Sequence, residues 1–189
     1  MLNLPNQLTL FRVAVIPLLV IVFYTDWQWR FLACALLFSL AGITDALDGH
    51  IARKYNLSTP FGAFLDPVAD KLIVVVVLTL LVESNDDPVF TLPAIVIICR
   101  EILISALREW MAEIGSRARV SVSSVGKLKT TLQIVALILL LAFPHGSPLY
   151  LHEVGLVCLY AAAVLTLWSM VLYLKAAWPS FRSKKVNKA

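Results

Sequence analysis

Four aspartates fall close together in the run Asp45-x2-Asp48-Gly49-x2-Ala52-Arg53-x8-Gly62-x3-Asp66-x3-Asp70. Asp45 and Asp48 are i,i+3 and Asp66 and Asp70 are i,i+4, so each pair shares one face of a helix. Two helices joined by a short loop aim all four carboxylates at one point. With no His or Cys among them, such a cluster favours hard divalent cations, Mg²⁺ or Mn²⁺. Gly49 and Ala52 share the face of Asp45 and Asp48, and Gly62 precedes the second pair. Small side chains there let a ligand lie against the helix backbone. Arg53 adds a fixed positive charge. Cations, a flat docking surface and an arginine together suit a diphosphate-bearing substrate. A lone aspartate in such a setting reads as a helix-packing hydrogen bond, but that does not account for four at this spacing beside small residues. His50 is read as a bystander.

The surrounding chain makes the cluster costly. Its 189 residues are 60% hydrophobic, more apolar surface than a soluble domain of this size can hide, so the bilayer must be its solvent. Carboxylates at a bilayer need a compensating partner. Six apolar segments, roughly Leu8–Tyr24, Phe31–Leu47, Phe64–Val82, Leu92–Leu107, Leu128–Phe143 and Val154–Leu174, are near the length that crosses the hydrocarbon core. The reading is an all-α integral membrane protein of six transmembrane helices, one domain over 1–189, with both termini cytoplasmic. A kink is expected at Pro17. The connectors Asn56–Pro60, Ser84–Pro88 and Pro144–Pro148 carry turn chemistry. The first segment lacks a basic leader and an Ala-x-Ala cleavage site, so it is expected to stay as a span.

Orientation follows from Lys/Arg asymmetry. With six spans, Arg53, Lys54, Arg117, Arg119, Lys127, Lys129 and the basic tail share one side. Arg30 stands on the other with Asp26, Glu83, Asp86, Asp87 and Glu153. The basic side is expected to be cytoplasmic, and the aspartates open toward it at headgroup depth. Trp27, Trp29, Trp110 and Trp178 fall near helix ends as interface anchors, and Trp168 reads as packing. Cys34, Cys99 and Cys158 are far apart, show no CxxC spacing and read as apolar packing residues without disulfide or thiolate chemistry.

The basic connector between the fourth and fifth segments holds Arg108, Arg117, Arg119, Lys127 and Lys129, candidates for binding an anionic acceptor. The plainer reading is a positive-inside loop on anionic lipid, which accounts for some of them. Arg108, Lys127 and Lys129 rank first. Arg100 and Glu101, deep in the fourth segment, read as an internal ion pair or a polar contact to a neighbouring helix. Lys71 balances local charge, and Arg12 reads as snorkelling to the interface rather than approaching the site.

The aspartate run resembles the signature of the CDP-alcohol phosphatidyltransferases, with every fixed slot filled. The likeness extends to Asn6–Arg12, Phe61–Lys71, Arg100–Trp110 and Gly126–Thr131, which look like the bacterial branch making phosphatidylglycerophosphate. That resemblance implies transfer of the phosphatidyl group of CDP-diacylglycerol to the 1-hydroxyl of sn-glycerol 3-phosphate, with CMP released. It implies a centre of two divalent cations, Mg²⁺ or Mn²⁺, on Asp45, Asp48, Asp66 and Asp70, with Asp66 shared and Asp70 also the catalytic base. It places Asp48, Gly49, Ala52, Arg53 and Gly62 at CDP-diacylglycerol, and it implies a homodimer in the bacterial inner membrane with its active site facing the cytoplasm. No nucleic-acid partner is expected. The signature does not choose among acceptors, so serine, inositol phosphate or phosphatidylglycerol stay open on it alone; the basic connector suits a phosphorylated one. A cation transporter is the rival from another class, but such sites usually lie at mid-membrane between repeated halves, and this chain shows no repeat. A purely structural scaffold leaves the aspartate spacing unexplained.

Overall fold

The computed structural model describes residues 4–55, 60–85, 87–113, 124–147 and 150–183; within these, the side chains of 4–5, 49–55, 60–61, 63, 112–113, 124–125, 127, 176–177 and 179–183 lie outside the description. Six helices follow one another: α1 Leu4–Phe23, α2 Arg30–Tyr55, α3 Pro60–Asn85, α4 Pro88–Glu113, α5 Ser124–Ala142 and α6 Leu151–Ser183. No strand occurs among the described residues. Among the described residues four helices, α1, α2, α4 and α6, are long and apolar enough to cross a membrane. The apolar part of α5 is shorter, Leu128–Ala142, and α3 carries Asp66, Asp70 and Lys71 within its length. The expected helix order is therefore present, while hydropathy alone marks four spans.

The helix ends are set by backbone chemistry. Pro60 and Pro88 open α3 and α4, at the position where a missing N–H costs nothing. Asp87 caps α4, its carboxylate accepting a bond from the Val89 N–H at 2.9 Å. The Asn85 amide donates to the Leu81 carbonyl at 2.7 Å at the end of α3. Beyond α5, Gly146 has φ of 86°, and the Ser147 N–H donates to the Pro144 carbonyl at 3.1 Å. A glycine serves that left-handed position at no steric cost. The helices overrun their apolar segments. In particular α2 continues to Tyr55, so the whole first half of the aspartate motif is helical. The α1 helix runs unbroken through Pro17.

The chain divides into two compact units, Met1–Asp86 with Leu137–Gly155, and Asp87–Ala136 with Leu156–Ala189. In the first, α1 packs on both α2 and α3. Val15, Leu19 and Phe23 of α1 are buried, as are Cys34, Ala35 and Phe38 of α2 and Ala69, Ile73 and Val77 of α3. The start of α6 approaches the end of α5 closely: a Cβ at Gly155 would stand 2.9 Å from Leu140 Cγ. All three cysteines are free, and Cys34 lies in the core with its thiol 3.7 Å from the Leu19 carbonyl. Trp168 departs from its expected packing role: it is 62% exposed, so its ring faces away from this chain.

The second unit has buried Phe90, Ala94 and Ile97 on α4 and Leu159 and Ala162 on α6. Pro93 sits inside α4 and has no N–H to give the carbonyl four residues back, at Val89. The Tyr160 hydroxyl of α6 donates to that carbonyl at 2.7 Å, so a side chain answers the vacancy in the helix ladder. Tyr160→Phe should lower stability by about 1 kcal/mol in mixed-micelle unfolding. In a Pro93→Ala background, where the helix supplies its own bond, the same substitution should cost less. Equal costs in both backgrounds would separate the hydroxyl from the proline.

Candidate functional site

Three helices of the first unit build the site. The α2 helix carries Asp45 and Asp48 one turn apart, and α3 carries Asp66 and Asp70 one turn apart. The α1 helix, packed on both, supplies what lies among them. Arg12 enters the cluster with its side chain 2% exposed. Its Nη1 pairs with Asp45 at 2.9 Å and with Asp70. Its Nη2 pairs with Asp48 at 2.5 Å and reaches Asp66 at 3.5 Å. Each terminal nitrogen thus bridges one carboxylate from α2 and one from α3, in the order expected of antiparallel helices. The Thr9 hydroxyl, one turn before Arg12, donates to Asp66.

The expectation that Arg12 snorkels to the interface is therefore overturned. Snorkelling suits a long cation whose only alternative is hydrocarbon. Here the alternative is four carboxylates, and a planar guanidinium with donors on two ends can serve several of them at once. The sequence holds a sign of this. Asn6, Thr9 and Arg12 form a polar stripe at three-residue spacing on an apolar helix, and all three are buried. Polar residues within such helices are costly enough to mark function. Thr9 and Asn6 were not among the predicted site residues.

Access to the four aspartates differs. The Asp48 side chain is 4% exposed, against 47% for Asp45, 40% for Asp66 and 43% for Asp70. Asp48 forms a closed floor, and the other three open outward. Gly62 is buried, one turn before Asp66 on α3. Gly49, Ala52 and Arg53 follow on α2, with side chains outside the described residues. Four carboxylates against one guanidinium leave the cluster with an excess of negative charge. Among the described residues no group of three carboxylates is arranged to hold a metal ion, and the guanidinium pairs with all four. The donor set still fits hard divalent cations: it is all oxygen and negative in excess, with three members open.

The second unit holds a separate polar group. Glu101 accepts bonds from Lys129 at 2.6 Å and from Arg100 at 2.8 Å, and Arg100 also donates to the Ser169 hydroxyl at 3.1 Å. The internal ion pair expected at Arg100 and Glu101 is present, and it includes Lys129. That lysine is buried with its ammonium committed to Glu101. Arg108 is exposed; its Nε donates to the Tyr173 hydroxyl at 3.1 Å and its guanidinium lies 5.2 Å from the ring centre. Arg117 and Arg119 lie outside the described residues, as does the side chain of Lys127.

Comparison with known proteins agrees with this geometry. The profile of the CDP-alcohol phosphatidyltransferase family matches residues 2–169, which include all four aspartates and Arg12. A CDP-diacylglycerol–glycerol-3-phosphate 3-phosphatidyltransferase of Salmonella choleraesuis is 53% identical over 93% of this chain and 94% of its own length. Proteins of the same name from Sodalis glossinidius and Shigella flexneri are 53% identical over 93% of this chain, covering 95% and 94% of theirs. With the family profile spanning most of its length and its carboxylates gathered from two helices, the chain belongs to the CDP-alcohol phosphatidyltransferase family.

Proposed function

We propose that this protein transfers the phosphatidyl group of CDP-diacylglycerol to sn-glycerol 3-phosphate, forming phosphatidylglycerophosphate and CMP. The observation that carries the reading is the gathering of Asp45, Asp48, Asp66 and Asp70 around the single guanidinium of Arg12, three of them open. The near full-length likeness to relatives bearing that name selects glycerol 3-phosphate over serine, inositol phosphate or phosphatidylglycerol. It also favours a transferase over a cation carrier.

In this reading the 1-hydroxyl oxygen of the acceptor bonds to the phosphorus that bears diacylglycerol. The bridge to the cytidylyl phosphate breaks, CMP leaves with those electrons, and the hydroxyl proton passes to the Asp70 carboxylate. The four aspartates would hold two divalent cations, Mg²⁺ or Mn²⁺, which when bound neutralise the diphosphate and stabilise departing CMP. Gly49, Ala52 and Gly62 keep the helix surfaces low where the nucleotide lies, and Arg53 and Asp48 complete the CDP-diacylglycerol site. Arg108, Arg117, Arg119, Lys127 and Lys129 serve the acceptor phosphate. Of these Arg108 is the exposed, bidentate candidate. Lys129 acts differently: with Arg100 and Glu101 it forms a group of net positive charge, so it contributes field more than a free ligand. The protein functions as a homodimer in the bacterial inner membrane, with the aspartates on the cytoplasmic side.

Asp70→Asn should retain CDP-diacylglycerol binding while kcat falls by about 10²–10⁴-fold, the range for loss of a general base; full activity would remove Asp70 from that role. Arg108→Ala should raise the KM for glycerol 3-phosphate roughly tenfold, as expected for one charge-assisted hydrogen bond. A change confined to CDP-diacylglycerol kinetics would argue against the acceptor role. Glu101→Gln leaves Arg100 and Lys129 without their carboxylate and should destabilise the fold by about 3–5 kcal/mol, measured by unfolding in mixed micelles. An acceptor panel assayed for CMP release with Mg²⁺ or Mn²⁺ tests the reaction itself; metal uptake without CMP would sink it.

A further inference from the structure

Arg12 is the group that the proposed reaction leaves unused. Its two terminal nitrogens take up one oxygen from each of the four aspartates. Its buried Nε finds no hydrogen-bond partner among the described residues. The contacts that hold the guanidinium among the described residues run through the carboxylates. Those carboxylates are the same donors that divalent cations would need. Each carboxylate keeps a second oxygen, but a guanidinium set among the four weakens the negative potential that draws divalent cations, so arginine and cations compete.

Charge points the same way. One guanidinium leaves four carboxylates undercompensated, whereas two divalent cations match them without it. Thr9 holds Asp66 by a neutral hydroxyl, which is compatible with either partner. We infer that Arg12 is the resident counter-cation of the metal-free cluster and that divalent cations displace it from the aspartates. This rests on the metal-dependent reading above. Arg12 keeps the carboxylates of α2 and α3 together before cations arrive, and by competing it lowers the apparent affinity of the site. Once released, the guanidinium has a bidentate partner at hand in the substrate's diphosphate. Arg12 is thus a positioning residue for the site, not a proton carrier.

The test uses the full-length protein in detergent micelles, stripped with EDTA and titrated with Mn²⁺, with free Mn²⁺ read by electron paramagnetic resonance. Arg12→Gln removes the competitor. Arg12→Lys keeps a positive charge for folding but offers one compact ammonium that does not span four carboxylates. Both variants should bind Mn²⁺ about tenfold more tightly than wild type, the gain expected when a competing state is removed. The metal-free Tm should fall in Arg12→Gln, and saturating Mn²⁺ should raise it by a larger shift than in wild type. Equal or weaker Mn²⁺ affinity in Arg12→Lys would overturn the displacement while leaving the metal reading intact. Absence of saturable Mn²⁺ binding in wild type and both variants would overturn the metal reading and the displacement together.

Discussion

Four carboxylates pressed together in an apolar protein repel one another and lose much of their hydration. The arrangement of α1, α2 and α3 around the site follows from how that is managed. Arg12 supplies positive charge from a third helix, with one terminal nitrogen for each cross-helix pair. That requires α1 to lie against both α2 and α3, which its buried Val15, Leu19 and Phe23 achieve further along the same helix. Apolar packing at one end of α1 therefore places the polar stripe of Asn6, Thr9 and Arg12 at the other. The compensation is incomplete, since one guanidinium does not balance four carboxylates. An incompletely balanced, partly open cluster is suited to taking up cations and a charged substrate.

The Glu101 group of the second unit handles buried charge in the opposite way. Its carboxylate is answered by two cations, Lys129 and Arg100, and the arginine is tied further to Ser169. All of these side chains are largely enclosed. A closed ion-pair group of this kind joins helices and sets local field, since separating any partner leaves a charge buried alone. The aspartate cluster differs in having too many charges of one sign and three members within reach of solvent. That contrast, not the mere presence of charge, distinguishes the open cluster from the closed one.

The backbone faces the same economy of polar groups. Pro60 and Pro88 stand where their missing N–H is harmless, at the first positions of α3 and α4, and Pro93 stands where another helix makes good the loss, through the Tyr160 hydroxyl on the freed carbonyl. In apolar surroundings an unanswered carbonyl has no water to turn to. The freed carbonyl at Val89 is thus met by a specific side chain, and Asp87 caps the start of α4 in the same way.

The sequence by itself determined the helix order, the apolar character and the reaction class. Hydropathy period and aspartate spacing are local properties, and the i,i+3 and i,i+4 pairs remain on one face whatever the helices pack against. It also pointed Arg100 and Glu101 to an internal ion pair or a polar contact with a neighbouring helix, and both occur. Only the tertiary structure decided the fate of Arg12, Lys129 and Trp168. Whether a long cation snorkels or turns inward depends on what lies across from it, and Arg12 is more than thirty residues in the chain from any of the four aspartates it pairs with. Lys129 was legible as a cation but not as one already claimed by Glu101. Trp168 faces outward because helix rotation is set by packing against neighbours, which the pattern along a nearly uniformly apolar helix does not encode.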